Sequence, residues 1–147
     1  AQSKVAHINT QELVASMPDT KVAQAEIEKL GKTYEVEIQA MVTEYQNKIK
    51  IYEAEAPNKT DEENAKRGQE VQGMNQSIGQ YRAQAQQTMQ KKEAELLQPI
   101  YKKVNEAIQA VAKAQGFNYV LDSMAGQGVL YTDGKDLLAD VKKQLGF

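Results

Sequence analysis

The chain has no cysteine and no tryptophan, two phenylalanines, three prolines and one histidine in 147 residues. Without cysteine there is no disulfide framework and no thiol chemistry. His7 alone makes neither a catalytic triad nor a metal site, and in a β-prone stretch it reads as a plain strand residue. No run of 18 apolar residues occurs, so nothing is long enough to span a bilayer as a helix. Neither sign of charge dominates. Lys and Arg number 18 against 20 Asp and Glu, a net charge of −2. Over residues 20–95 the balance is 11 to 13, over the rest 7 to 7, and the signs are interspersed. That removes a basic nucleic-acid face and any general pull toward anionic lipid. Hydrophobic residues make up 41%, but alanine supplies much of this. A compact sphere needs more bulk, so an elongated molecule with a thin core is expected. The chain opens at Ala1-Gln2 without Met, which fits a mature end after signal-peptide removal or a trimmed chain.

No enzymatic constellation stands out. Asp122, Asp133 and Asp136 lack the alternation of a calcium loop, and two of them sit where turns and caps favour Asp. Gly126-Gln127-Gly128 follows a strand, but no helix opens directly after it, so it reads as a hairpin connection rather than a phosphate cradle. Asn58-Lys59-Thr60 matches a glycosylation triplet of a kind that is common by chance. No cofactor and no metal is expected.

Helices dominate what is present. Lys4 to Asn9 ("KVAHIN") reads as a short strand. Asn9 to Glu12 forms a capping box that opens a short helix. Pro18 is preset for the first turn of a long helix reaching about Ala56. The large residues of that helix repeat every 11 positions: Ile27, Ile38 and Ile49; Leu30, Met41 and Tyr52; Tyr34 and Tyr45. Eleven residues in three turns is about 3.67 per turn, which keeps a stripe on one face of a nearly straight helix. Pro57-Asn58-Lys59 is a turn. Thr60 to Glu63 is a second capping box, with three acids at the positive dipole end. The second long helix runs to about Gln115 and stops at Gly116. It carries the rows Met74, Ala85, Leu96, Ala107 and Ile78, Met89, Ile100, Val111.

Two such helices predict an antiparallel hairpin of roughly 60 Å. Its core is Ile27, Leu30, Tyr34, Ile38, Met41, Tyr45, Ile49, Met74, Ile78 and Met89. A turn centred near the tip sets Pro18 level with Pro99, Tyr52 near Ala65, and Tyr34 near Ala83 and Ala85. Pro99 is expected to bend the second helix. Val36, Ala40 and Ile51, with Val42 at the edge, point away from the stripe. They are either scattered surface apolars or a thin lining for a cavity or client. Gly31, Gly68, Gly73 and Gly79 lie in these helices, either for close packing or for bending.

Beyond Gly116, "NYVLD" is a strand, Ala125 to Gly128 a connection, "VLYT" a second strand, and Thr132 to Lys135 a turn. Asp136 caps a final helix, "LLADVKKQL". The fold class is α+β and predominantly α-helical, a long coiled-coil hairpin attached to a small body of strands and a terminal helix. The body is residues 1–17 plus 100–147, and the arm is 18–99 with its tip near 57–60. The body's apolar residues are Val5, Ile8, Val120, Leu121, Val129, Leu130, Leu137 and Val141. So small a body is marginal alone, and further copies of the chain would supply the missing burial.

The opening "KVAHIN", the long hairpin, "NEAIQAVAKAQGFNYVLD" (105–122) and "YTDGKDLLADVKKQL" (131–145) together resemble the Skp/OmpH family of periplasmic chaperones over nearly the whole chain. Tyr119-Val120-Leu121-Asp122 and Asp136 to Val141 occupy the family's strand and capped terminal helix. The resemblance implies a homotrimer whose strands close a common body, with three helical arms around a cavity. It also implies a periplasmic, ATP-independent holdase for unfolded outer membrane proteins, with no enzymatic activity. Typical members are strongly basic. At a pI of 5.5, lipopolysaccharide or membrane binding is not carried over to this chain. The alternative is an envelope scaffold that binds one folded partner through the tip, Glu53 to Arg67.

Overall fold

The computed structural model describes residues 2–147. Ala1, part of the expected mature end, lies outside the described residues. The order is β1 (Val5–Ile8), α1 (Thr10–Ser16), α2 (Pro18–Glu55), a 3-10 turn (Ala56–Asn58), α3 (Asp61–Gln115), β2 (Tyr119–Asp122), β3 (Lys135–Asp136) and α4 (Leu138–Leu145). The class is α+β and predominantly helical, as expected.

The helix ends follow from their sequences. The Asn9 side chain accepts from Glu12 N at 3.1 Å and starts α1. Thr60 and Glu63 cap α3 reciprocally: Glu63 N donates to Thr60 Oγ1 at 3.1 Å, and Thr60 N donates to Glu63 Oε2 at 2.9 Å. At the far end Gly116 takes φ 75°, and Phe117 N reaches back to Ala112 O at 2.9 Å. That geometry satisfies the last carbonyls of α3 and turns the chain into β2. Pro99 lies inside α3.

The chain divides into two compact units, Ala1–Ala25 with Glu93–Phe147, and Glu26–Lys92. In the first, β1 is the middle strand of a three-stranded sheet, in the order β2-β1-β3. Both neighbours run parallel to it, with Ala6 opposite Val120 and Lys135, and His7 opposite Leu121 and Asp136. One face of the sheet, with Ala6 and Ile8, packs on Leu13, Met17, Val104, Val111, Leu137 and Val141. Ile8, Leu13, Met17, Leu137 and Val141 are fully enclosed, each worth about 1.5–3 kcal/mol of burial. Lys103 pairs with Asp19 at 3.0 Å, which sets the start of α2 beside the turn of α3 that follows Pro99.

Three sequence expectations fail in this unit. "VLYT", residues 129–132, is not a strand; the third strand is Lys135–Asp136, where the last residue of the turn and the helix cap were expected. Gly126 to Gly128 is not a hairpin connection, because β2 and β3 lie on opposite sides of β1 and run the same way. Parallel strands need a crossover, and residues 123–134 supply it, with Gly126 and Gly128 at φ 88° and 91°. Asp136 belongs to β3, although its carboxylate also accepts from Leu138 N at 2.9 Å at the head of α4.

Candidate functional site

In the second unit, α2 and α3 pack as an antiparallel pair joined at Ala56–Asn58. Ile27, Leu30, Tyr34, Ile38, Met41, Tyr45 and Ile49 of α2 all face inward, yet all are only half-buried. On α3, Met74 and Met89 are half-buried, and only Ile78 and Ala85 are closed off, each at 5% exposure. A two-helix pair has one interface, so each stripe keeps open flanks. Polar ties close those flanks. Tyr81 Oη donates to Glu37, and its ring meets Tyr34 edge-on at 5.9 Å between centroids. Tyr52 Oη donates to Glu70 at 2.6 Å, and Lys48 pairs with the same carboxylate. Arg67 stacks 4.3 Å from the Tyr52 ring centroid and pairs with Glu55 at 2.8 Å. Lys92 pairs with Glu26 at 2.8 Å. Tyr52 thus meets Arg67 and Glu70, and Tyr34 meets Tyr81. The expected partners Ala65, Ala83 and Ala85 were within about one helical turn of these.

The opposite face of α2 carries the unpaired apolar residues. Val36 is 69% exposed and Ile51 52% exposed, and Ala40 is exposed. Val42, expected at the edge of this face, lies four residues after Ile38, on the stripe's side, and is half-buried. Ala40 and Ile51 line one shallow concavity of about 590 Å³ with Gln39, Thr43, Glu44, Asn47 and Lys48. Val36 and Val42 do not line it. Thr43 and Asn47 are additions that the sequence reading missed. Their spacing of three and four from Ala40 and Ile51 is the signal that places them on one helix face.

A second open surface belongs to the first unit. The outer face of the sheet holds Val5, His7, Tyr119 and Leu121, with Val5 44%, Tyr119 60% and Leu121 46% exposed. Parallel sheets are ordinarily covered on both faces. The crossover adds Leu130 at 99% and Tyr131 at 79% exposure. Of the eight expected body residues, Ile8, Leu137 and Val141 are therefore enclosed within one chain, Val120 and Val129 are half-buried, and Val5, Leu121 and Leu130 lie open.

The model of the family described as "Outer membrane protein (OmpH-like)" matches residues 4–145. The chain belongs to the OmpH-like family. No curated protein matches it, whereas six solved chains do. One is the crystal structure of a candidate outer membrane chaperone (OmpH-like) from Caulobacter crescentus CB15, with a TM-score of 0.85 at 19% identity, covering 99% of this chain and 85% of that one. That likeness concerns the fold.

The electrostatics of this OmpH-like chain centre on its tyrosine–glutamate ties. Hydrogen bonds from Lys48 and Tyr52 hold the Glu70 carboxyl below its ordinary value. The same bonds raise Lys48 and Tyr52. The bond to Glu37, then desolvation, push Tyr81 up to about 12. Burial pushes Asp122 upward, but bonds from Thr10 Oγ1, Met124 N and Thr10 N outweigh it and leave the carboxyl lowered. Asp122 thereby ties the end of β2 to the head of α1, at 2.6 Å to Thr10 Oγ1. Among the described residues, no group of three His, Cys, Asp or Glu is placed to hold a metal, and no helix is long and apolar enough to cross a membrane. What the open surfaces offer is contact chemistry: separated apolar side chains among amides, hydroxyls and mixed charges.

Proposed function

We propose that this OmpH-like chain is an ATP-independent holdase that keeps unfolded outer membrane proteins soluble in the periplasm. Three copies associate through the region 1–17 plus 100–147, and the helical pairs of 18–99 surround the client. Family membership supports the general class. The observation that carries the finer reading is the outward placement of Val36, Ala40 and Ile51 on α2, opposite the stripe that holds the helices together. Unfolded barrel chains present short apolar patches because their strands alternate apolar and polar residues. Separated weak contacts on several linked arms raise occupancy without tight binding, and a client held this way can leave without an energy source. Assembly is supported by the uncovered sheet face and by Leu130 and Tyr131, whose burial no single chain provides.

The test is turbidity of a barrel protein diluted from urea, with and without the chain. The parent should suppress aggregation. Val36→Asp with Ile51→Asp should weaken suppression while helicity and mass in solution stay unchanged. Parent-like suppression by the double variant would assign the lining to the wrong face. No suppression by the parent would remove the holdase reading in favour of a scaffold that binds at the tip.

A further inference from the structure

Of the six aspartates, Asp133 alone is followed by glycine. The structure also leaves it the least restrained. Asp19 takes a bond from Lys103 at 3.0 Å, Asp136 from Leu138 N at 2.9 Å, and Asp140 from Gln115 Nε2 at 2.8 Å. Asp122 accepts from Thr10 and Met124, and Asp61 is fixed in the first turn of α3. Among the described residues, the Asp133 carboxylate has no hydrogen bond or ion pair, and the Gly134 amide donates to no acceptor. Both residues are exposed, at the end of the crossover and just ahead of β3.

That arrangement suits one covalent reaction. The Gly134 nitrogen lies within reach of Asp133 Cγ, and no Cβ on Gly134 shields it. Attack forms an N–Cγ bond and closes a five-membered succinimide ring, while the amide proton and the carboxyl OH leave as water. Water then reopens the ring. Opening at Cγ restores aspartate. Opening at the α-carbonyl leaves isoaspartate, in which the chain runs through Cβ and Cγ and the α-carboxylate becomes the side group. The mass is unchanged, and no oxidant or cofactor takes part. Helical φ/ψ disfavours the ring geometry, which protects Asp19, Asp61 and Asp140 in their helices.

We propose that Asp133-Gly134 is a site of spontaneous isoaspartate formation, and that the modified chain loses the pairing of β3 with β1. Isoaspartate adds one backbone atom immediately before Gly134. β3 has only Lys135 and Asp136, opposite Ala6 and His7, and Leu137 N donates to His7 O at 2.9 Å. So short a strand holds its register through few bonds. Leu137 is fully enclosed and precedes α4, and Lys135 pairs with Asp140 of α4 at 3.2 Å. A shift at Gly134 therefore also loosens the head of α4. The chemistry is the same whether or not the chain holds clients.

The experiment keeps the full chain for days at neutral pH and physiological temperature, then separates its tryptic peptide of residues 114–135 by chromatography. A second peak of unchanged mass should accumulate, with fragmentation placing isoaspartate at 133 and aspartate at 122. Gly134→Ala should slow it severalfold; the added Cβ would meet only Val5 O, at 3.7 Å, and Gly134 has no positive φ, so the fold tolerates alanine. Asp133→Glu should abolish it, because the larger ring closes far more slowly. Amide hydrogen exchange over 135–137 should be faster in the aged parent than in the fresh one, and aged Asp133→Glu should match the fresh parent. No isoaspartate at 133, or as much at 122, overturns the site. A Gly134→Ala rate equal to the parent's overturns the part given to the open glycine amide. Isoaspartate at 133 with unchanged exchange over 135–137 overturns its effect on β3.

Discussion

Leu130→Asp is the sharpest single perturbation of the proposed assembly. Leu130 is 99% exposed in one chain, so replacing it opens no cavity and breaks no contact within that chain. Stability of the isolated fold should stay within about 0.5 kcal/mol of the parent. If Leu130 is buried when copies associate, each copy loses about 1.5–3 kcal/mol of burial. Over three copies this is roughly 4.5–9 kcal/mol, or a roughly 10³- to 10⁶-fold weaker assembly. Desolvating the carboxylate adds to the loss. Sedimentation velocity across a micromolar dilution series reads the mass, and far-UV circular dichroism confirms that the helices persist. The expected result is a trimer for the parent and smaller, still helical species for the variant at the same concentration. A folded parent monomer at micromolar concentration would refute the reasoning. So would a variant that matches the parent's mass throughout the series, because the most exposed leucine of the chain would then lie outside any contact between copies.

Other outcomes follow from the helical pair. Ile78→Ala, at a closed site, should lower stability by about 2–5 kcal/mol in chemical denaturation; Ile38→Ala, at a half-buried one, should cost clearly less, and equal costs would mean the two helices pack differently. The folded carboxyl of Glu70 is depressed, so its contribution is present above the ordinary carboxylate value of 4.5 and is lost as pH falls through the lower folded value. Glu70→Gln should therefore shrink the acid limb of a melting-temperature profile. Tyr81 is raised from 10.0 to about 12, so its contribution is present below 10.0 and is lost as pH rises through about 12. Tyr81→Phe should remove that alkaline loss, and an unchanged profile would refute the tie.

Local chemistry was legible in the sequence where a short motif decides the outcome. Asn9, Thr60 with Glu63, and Gly116 set helix ends through contacts within a few residues; Thr60 and Glu63 close the full box and Gly116 stops α3 as read, whereas Asn9 caps α1 through Glu12 N alone, without the return bond of a box. The 11-residue rows likewise reported which face of α2 turns inward. Legibility stopped where the deciding partner lies far along the chain. "VLYT" has the β-branched and aromatic makeup of a strand, but propensity does not say which segment pairs. The place beside β1 is taken by β2 on one side and by Lys135–Asp136 on the other, and residues 129–132 fall in the crossover between them. Propensity could not reveal that β2 and β3 run parallel, since direction depends on how residues 123–134 cross. The Tyr81–Glu37 and Tyr52–Glu70 ties were missed because they sit at the edges of the apolar rows. A periodicity search weights the centre of the stripe and ignores tyrosine hydroxyls.

The thin interface of the helical pair and the scattering of its outward apolar residues have one physical origin. A pair of helices has a single shared face, so it cannot enclose large side chains as a bundle does. Stability then rests on capped helices, half-buried rows and polar ties, and any additional apolar residue must face outward. Placed together, Val36, Ala40 and Ile51 would make a continuous patch, which exposed surfaces rarely tolerate without association. Spaced along α2 among Gln39, Thr43, Glu44, Asn47 and Lys48, each offers one small contact framed by groups that prefer water. Such a surface gains little from meeting a copy of itself, because its apolar points are sparse and its charges mixed. It gains more from a long unfolded chain, which can adjust to reach several points at once. On the proposed holdase reading, the same sparseness would keep every contact weak enough to release.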